Sequence, residues 1–265
     1  MLSAILTYCI VGAIVGVLAG LFGIGGGLVI VPMLIYVFSL NKVPHELTMH
    51  LALATSLASI IFTSISSFLA HHKRGAVHWD VVKKIVVGIL TGTFLGSCVA
   101  SALSTNFLKI FFVIFLYFVA TQLLLNKKPK PGREIPGPLS MFATGNIIGA
   151  VSSLVGIGGG TLSVPFMLWC NINAHHAIGT SAAIGLPIAV AGTVGYIFNG
   201  WNIPNLPPYS LGYVYLPALF GIAAVSVLTA PLGVKLAHSL PVDRLKRIFS
   251  ILLYIVATKM LIGAL

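Results

Sequence analysis

The chain carries one glycine-rich motif twice, and this duplication limits its fold more than any other feature. The first copy reads GIGGGLVIVP over residues 23–32, and the second reads GIGGGTLSVP over residues 156–165. Each copy lies in a stretch without any charged residue, 5–36 in the first case and 141–169 in the second. The sequence therefore uses one ancestral unit twice, with the same glycines inside a long apolar segment each time.

The glycine triplet of each motif predicts a break in a helix. Glycine in a helix interior costs about 1 kcal/mol relative to alanine, so three in succession disfavour a continuous helix. Lipid cannot satisfy the backbone N–H groups that a break frees, and such breaks are tolerated only where protein buries them or where they line a cavity. We therefore expect both breaks to face the interior of the protein and to form a site.

The apolar character of these segments extends to the whole chain. Hydrophobic residues make up 58% of the sequence and charged residues only 7%, against about 25% charged residues in soluble domains. This composition predicts an integral membrane protein whose surroundings are the lipid bilayer. The net charge of +11 fits Lys and Arg retained on the cytoplasmic side. We expect no nucleic-acid partner, because there is no soluble domain to present a basic face.

Motifs for enzymatic chemistry are missing from the sequence. Cys9, Cys98 and Cys170 are scattered through apolar segments without the spacing of a metal site or a disulfide framework. The glycine motif lacks the third glycine of a dinucleotide fingerprint and is not followed by the Lys of a phosphate-binding loop. The sequence therefore predicts no catalytic residue, no metal site and no cofactor, and any active transport must use a gradient or another subunit.

Apolar stretches of about 20 residues, the length that spans a bilayer, predict an all-α membrane fold. Each half contains one Gly-broken segment followed by three transmembrane helices, at 4–40, 47–70, 81–103 and 107–125 in the first half, and at 141–170, 174–198, 211–236 and 245–261 in the second. We predict a first repeat over 1–125, a polar, Pro-rich cytoplasmic linker over 126–140 and a second repeat over 141–265. Internal duplication of this kind is typical of secondary transporters.

The distribution of Lys and Arg predicts the orientation of the repeats. If each broken segment crossed the membrane once, these residues would divide nine against six. If each broken segment enters and returns, twelve lie on one side and only Lys42, Lys109 and Lys259 on the other. The positive-inside rule favours the second arrangement, with helical hairpins, two inverted repeats and both termini outside. Whether the hairpin arms cross fully or are re-entrant stays open.

Inverted repeats bring their helix breaks together near the membrane midplane. Two helix N-termini meeting there offer partial positive charge and unpaired N–H groups, which suit a small anion. A Thr-Ser pair recurs at matching places in the following helix and could add hydroxyl donors. The predicted substrate-binding residues are Gly25, Gly26, Gly27, Thr55, Ser56, Gly158, Gly159, Gly160, Thr161, Thr180 and Ser181.

Two alternatives remain open for these residues. Small residues also allow close helix packing in membranes, and a hydroxyl can bond to a carbonyl of its own helix.

The motifs also differ, since Leu28 stands where the second copy has Thr161, so an asymmetric site should have more polar contacts in the second half. Proton coupling through histidine is left open, and His175 and His176 are the candidates nearest the second Thr-Ser pair.

On the paired glycine motifs and the Thr-Ser pairs, the chain resembles the sulfite exporter TauE/SafE family, also called the toluenesulfonate uptake permease family. This resemblance implies a transporter in the bacterial cytoplasmic (inner) membrane that moves sulfite, an organosulfonate or another small organosulfur anion in sulfur metabolism. Three functions are therefore compared: a secondary transporter that works by alternating access, an anion channel whose amides form a selectivity filter, and a membrane subunit of a larger transport complex.

Overall fold

The computed structural model describes residues 2–23, 26–41, 43–125, 132, 134–239 and 242–263. In these residues the chain forms ten α-helices and one two-stranded antiparallel hairpin. The helices are α1 (Leu2–Phe22), α2 (Gly27–Leu40), α3 (His45–His72), α4 (Trp79–Ala102), α5 (Thr105–Leu125), α6 (Pro138–Val155), α7 (Gly160–Trp169), α8 (Ala174–Gly200), α9 (Leu216–Ser239) and α10 (Val242–Ile262), and the strands are β1 (Ser210–Leu211) and β2 (Val214–Tyr215).

The all-α architecture predicted from the sequence is confirmed. Each predicted unbroken segment contains one helix, and each Gly-broken segment contains two, α1 with α2 and α6 with α7. Within the described part of the chain, α3, α4, α5, α6, α8 and α9 are long and apolar enough to cross a membrane. Residues 126–131 and 133 of the predicted linker lie outside the described residues, as do Gly25 and Lys42.

One predicted boundary was wrong. The segment 211–236 was expected to be helical throughout, but its first five residues belong to the β-hairpin and α9 begins at Leu216. The hairpin turns at Gly212, whose φ of +53° lies in the left-handed region that glycine adopts readily. Val214 and Tyr215, which follow the turn, are of the β-branched and aromatic types that favour a strand.

Each half packs its first helix against a helix of the other half. Helix α1 lies along α9, and α6 lies along α4. A Cβ atom added at Gly12 would lie 2.5 Å from the carbonyl oxygen of Ile222, and one at Gly149 would lie 2.7 Å from that of Ile89. The absence of side chains at such positions lets the backbones approach closely, as is common in membrane proteins.

Helices α3 and α8 form the centre of the bundle. In their apolar windows 72% and 67% of the residues are buried, against 39–44% for the four other long apolar helices. Leu57 faces Gly192 and Ser64 faces Gly185, so α3 and α8 run antiparallel. The packing of the two halves is equivalent. The pair α1–α9 corresponds to α4–α6, and α3–α9 corresponds to α4–α8, when each helix is replaced by its equivalent in the other half.

Candidate functional site

The second glycine motif interrupts the helical segment between α6 and α7. Gly156 ends α6 with φ +70°, and Gly159 precedes α7 with φ +75°, values that favour glycine because it has no Cβ. The first backbone hydrogen bonds at the start of α7 are donated by the amides of Leu162 and Ser163, both to the carbonyl of Gly159. The amides of Gly160 and Thr161 therefore come before the first hydrogen-bonded turn.

The first motif has the same geometry where it is described. Gly23 follows α1 with φ +67°, and Gly26 precedes α2 with φ +83°. Among the residues that the structure describes, no side chain caps the N-terminus of α2 or of α7. The predicted site residue Gly25 lies outside the described residues, whereas Gly26 and Gly27 are buried.

The two breaks touch each other inside the protein. A Cβ atom at Gly27 would overlap the carbonyl oxygen of Gly156, and one at Gly156 would lie 3.1 Å from Cγ2 of Val31 on α2. Gly158, Gly159 and Gly160 are also buried. The start of α2 therefore lies directly against the end of α6, and the described residues of both breaks are buried.

The serines of the two Thr-Ser pairs bond to the opposite breaks. Ser56 Oγ donates to the carbonyl of Gly156 at 2.7 Å, and Ser181 Oγ donates to the carbonyl of Gly23 at 3.0 Å. Ser181 also accepts a hydrogen bond of 3.0 Å from Ser163 Oγ. Each hydroxyl thus satisfies a carbonyl that follows the end of a helix in the other half.

The threonines of the same pairs hold the starts of two further helices. Thr55 Oγ1 accepts a hydrogen bond of 2.9 Å from the amide of Tyr215, the residue before α9. Thr180 Oγ1 accepts one of 2.9 Å from the amide of His78, the residue before α4. These contacts give the Thr-Ser pairs a structural role between the halves, and their predicted role in substrate binding stays a prediction.

Two further side chains, which sequence reasoning missed, bond to the last turns of α1 and α6. His71 Nε2 lies 3.1 Å from the carbonyl oxygen of Gly20, and Tyr196 Oη donates to that of Ser153 at 3.0 Å. Both side chains are almost completely buried. The signal was available, because His71 and Tyr196 each come sixteen residues after the threonine of a pair, but it required aligning the two halves helix by helix.

These contacts determine the electrostatics of the site. The C-terminal ends of α1 and α6 present carbonyls with partial negative charge, and side chains donate hydrogen bonds to four of them, those of Gly20, Gly23, Ser153 and Gly156. The N-terminal ends of α2 and α7 present amides with partial positive charge. The arrangement therefore favours an anion, which can bind to such amides without an ionised side chain.

Buried hydroxyls surround the breaks, and most were not among the predicted site residues. Thr161 Oγ1, which was predicted, has no hydrogen-bond partner among the described residues, and the same holds for Ser67, Thr93 and Ser152. Ser152 Oγ lies 3.4 Å from the position of a Cβ on Gly159, beside the second break. A buried hydroxyl without a partner is uncommon in proteins, so these groups are available to a ligand.

Two cavities open at the turns that follow α2 and α7. One of about 230 Å³ is lined by Ser39, Val43 and His45 among others, and one of about 740 Å³ is lined by Asn171, Asn173 and other residues. The turns α2–α3 and α7–α8 occupy equivalent places in the two halves. The cavities therefore lie at equivalent ends of the two repeats.

The predicted histidines lie beside the larger cavity rather than at the breaks. His78, which lines that cavity, has its ring centroid 4.6 Å from that of His176. His176 lies in the first turn of α8, where its amide donates to Asn173 Oδ1 at 3.0 Å, and His175 is exposed. Any role of these histidines would therefore be at the cavity entrance.

Comparison with known proteins gives one family and several relatives. The family whose model matches is described as "Sulfite exporter TauE/SafE", and the match covers residues 8–260. A "Probable membrane transporter protein" of Haemophilus influenzae is 41% identical over 261 residues, covering 98% of this chain and 99% of that protein. A protein with the same description from Methanocaldococcus jannaschii is 29% identical over 257 residues, covering 96% and 94%. No solved structure matches the chain.

Proposed function

Since this chain belongs to the sulfite exporter TauE/SafE family, we propose that it is a secondary transporter of a small anion, sulfite or an organosulfonate, that works by alternating access. It is a multi-pass protein of the inner (cytoplasmic) membrane, with six helices of spanning length and relatives described as membrane transporters. The observation that carries the proposal is the contact between two helix breaks. Side chains donate hydrogen bonds to carbonyls at the ends of α1 and α6, whereas none of the described residues caps the starts of α2 and α7 with its side chain.

The anion binds at the starts of α2 and α7. The oxygens of sulfite or a sulfonate accept hydrogen bonds from the amides of Gly27, Gly160 and Thr161, and from the Thr161 hydroxyl. Glycine at position 27 supports the proposal because its missing Cβ lets the Gly156 carbonyl lie against the start of α2, which brings the two breaks into contact. The second break also lies beside Ser56 and Ser64, near the middle of α3.

The two halves are inverted relative to each other. Antiparallel packing of the equivalent helices α3 and α8 supports this arrangement. Helix α1 runs parallel to α9, since Gly12 faces Ile222 and Gly20 faces Ala230. Helix α9 also runs parallel to α3. Because α1 and α3 cross in the same direction, α2 must return the chain to the side from which α1 started.

The returning arms are re-entrant. At 1.5 Å per residue, α2 is about 21 Å long and α7 about 15 Å, whereas the hydrocarbon core is about 30 Å thick. In an inverted arrangement the turns α2–α3 and α7–α8 lie on opposite sides of the membrane, and so do the two cavities beside them. Rocking of one half against the other would connect the breaks to one cavity at a time.

Counterflow in proteoliposomes tests the proposal. Vesicles loaded with unlabelled sulfite should take up labelled sulfite with saturable kinetics, as exchange through a single alternating site requires. The variant Gly27→Ala should reduce the rate at least tenfold, because its Cβ would overlap the Gly156 carbonyl and force the start of α2 away from the end of α6. Gly137→Ala is the matched control, since nothing lies within 4 Å of a Cβ at Gly137.

Two results would contradict the proposal. Flux that does not saturate and shows no counterflow would indicate an anion channel. Activity that requires a co-purifying protein would indicate a membrane subunit of a larger complex.

Sulfite, sulfoacetate and small carboxylates should be compared as labelled substrates, because the amide groups recognise the charge of the anion rather than its sulfur atom.

A further inference from the structure

A small internal cavity lies beside the first break, separate from the amide ends of α2 and α7. The residues that line it are Ala19, Gly23, Ser64, Ser67 and Ala182. All five residues are buried. The space is too narrow to admit a water molecule in this conformation, so any occupant must be small and must lose its hydration shell.

Ser67 lines this cavity, and its hydroxyl makes no hydrogen bond to the described residues. Its side chain is 2% exposed, and its Oγ has no hydrogen-bond partner among the described residues. The neighbouring Ser66 differs, because its Oγ donates to the carbonyl of Val227 on α9 at 2.7 Å. A buried hydroxyl without a partner is uncommon in proteins and needs an explanation, and a small ligand in the cavity that Ser67 lines would provide one.

The polar atoms around the cavity are suited to a cation. Gly23 directly follows α1, whose last carbonyls carry partial negative charge. The carbonyl of the second break is close as well, since a Cβ at Gly185 would lie 2.8 Å from Ser64 Oγ and 3.2 Å from the Gly158 oxygen. In secondary transporters, backbone carbonyls at the ends of broken helices coordinate Na⁺ in this way.

We propose that this cavity binds one Na⁺ ion, held by the hydroxyls of Ser64 and Ser67 and by the backbone carbonyl of Gly23, whose oxygen also accepts the hydrogen bond of Ser181, and that this ion is coupled to transport of the anion. The inference rests on the proposed function. None of the five lining residues titrates, which disfavours a proton. The lack of a carboxylate among them disfavours a divalent cation, and the narrow space disfavours K⁺, which is larger.

The position of the cavity explains how the two ions would be coupled. Gly23 ends the helix whose hairpin partner begins at Gly27, so an ion that fixes Gly23 also fixes the break to which the anion binds. Two ligands that stabilise one conformation each raise the affinity for the other by the same factor. We therefore expect Na⁺ to increase sulfite affinity and sulfite to increase Na⁺ affinity.

Only one of the two halves carries these hydroxyls. The Thr-Ser pairs relate α3 to α8 by an offset of 125 residues, so Ala189 and Gly192 stand where α3 has Ser64 and Ser67. The structure of the second half therefore offers no equivalent pair of hydroxyl ligands. The proposal predicts one Na⁺ site for each chain rather than two.

Thermal unfolding of the purified full-length protein tests the site without transport. Replacing choline chloride by NaCl at constant ionic strength should raise the apparent melting temperature in a saturable way, since a ligand of the folded state stabilises it, and KCl should not. Ser67→Ala should abolish this shift or raise the half-saturating Na⁺ concentration at least tenfold. Ser66→Ala is the control on the same helix and should keep the Na⁺ shift.

The outcomes separate this inference from the proposed function. An equal shift with NaCl and KCl, no shift, or an unchanged shift in Ser67→Ala would overturn the Na⁺ site. Saturable sulfite counterflow would still support the anion transporter in each of those cases. The Na⁺ site requires that NaCl no longer raise the melting temperature of Ser67→Ala. Sulfite should still raise the melting temperature of this variant in Na⁺-free buffer.

Discussion

At the scale of single residues, the Thr-Ser pairs connect the two halves through hydrogen bonds to backbone groups. Thr55 and Thr180 accept from the amides that precede α9 and α4, and Ser56 and Ser181 donate to glycine carbonyls at the opposite breaks. All four side chains are completely buried. Loss of one partner from such a bond leaves a buried polar group unsatisfied, which costs about 1–3 kcal/mol.

Replacement of a threonine hydroxyl separates structural bonding from ligand binding. We expect Thr55→Val and Thr180→Val each to lower the free energy of unfolding by about 1–3 kcal/mol, because the facing amide loses its acceptor while the volume is conserved. Thr55→Ser and Thr180→Ser keep the hydroxyl and should cost less. Thermal unfolding in detergent measures the difference.

The same variants also test the predicted role of these hydroxyls in binding. A hydroxyl that accepts a hydrogen bond from an amide still has a proton to donate to an anion. If sulfite affinity falls in Thr180→Val while the melting temperature is unchanged, the hydroxyl contacts the substrate and its structural role is minor. If stability falls and affinity does not, the structural role is the main one.

At the scale of helices, glycine acts in two different ways. At the breaks it allows positive φ values, as at Gly156 and Gly159, and leaves no side chain over the backbone amides. Along α4 and α6 it has ordinary helical geometry and allows close packing, because a Cβ at Gly88 or Gly92 would overlap a carbonyl oxygen of α6. The sequence left both roles open for the glycines, and the structure shows that different positions have different roles.

Enlarging a packing glycine should separate the helices. We expect Gly92→Leu to lower the free energy of unfolding by at least ~3 kcal/mol, because overpacking usually costs 1–3 kcal/mol and here the side chain would meet backbone that cannot rotate away. Leu95→Ala is the control on the same helix, since Leu95 is 61% exposed at the outer surface. Fluorescence-detected gel filtration after heating compares them, and equal melting temperatures would contradict tight α4–α6 packing.

At the scale of the whole molecule, helices of one repeat pack against helices of the other, and this packing joins the repeats into one unit. Helices α1 and α6 each pack on a helix of the other repeat, and α3 and α8 pack on each other at the centre. In the proposed alternating access, the groups that move together would therefore be α1 with α9 and α6 with α4. The breaks lie where these two groups of helices meet.

The proposed orientation of α4 in the membrane makes a prediction about its two ends. In a cysteine-free background, obtained by replacing Cys9, Cys98 and Cys170, we expect Ser104→Cys to react with a membrane-impermeant maleimide in intact cells. Lys73→Cys should react only after permeabilisation, because the positive-inside rule places it in the cytoplasm. Both positions are exposed at the ends of helices, and labelling of both in intact cells would contradict the topology.

Much of the architecture could be predicted from the sequence because it depends on local properties. The glycine triplets indicated the broken helices, and the apolar lengths indicated the unbroken ones. The error at residues 211–215 arose because a short hairpin of aromatic and β-branched residues is as apolar as the start of a helix. The roles of His71 and Tyr196 were missed because a single polar residue near a helix end gives no local sign of its partner.

The sequence alone determined where the backbone breaks, how many apolar segments exist and that one unit occurs twice, since each depends on neighbouring residues and on the thickness of a bilayer. Only the tertiary structure decided that Ser56 bonds to Gly156, that α1 packs on α9 rather than beside its own repeat, and that Ser67 faces an internal cavity. These contacts join residues far apart in the chain. They depend on which surfaces fit together in three dimensions, and hydropathy and residue spacing carry no information about that fit.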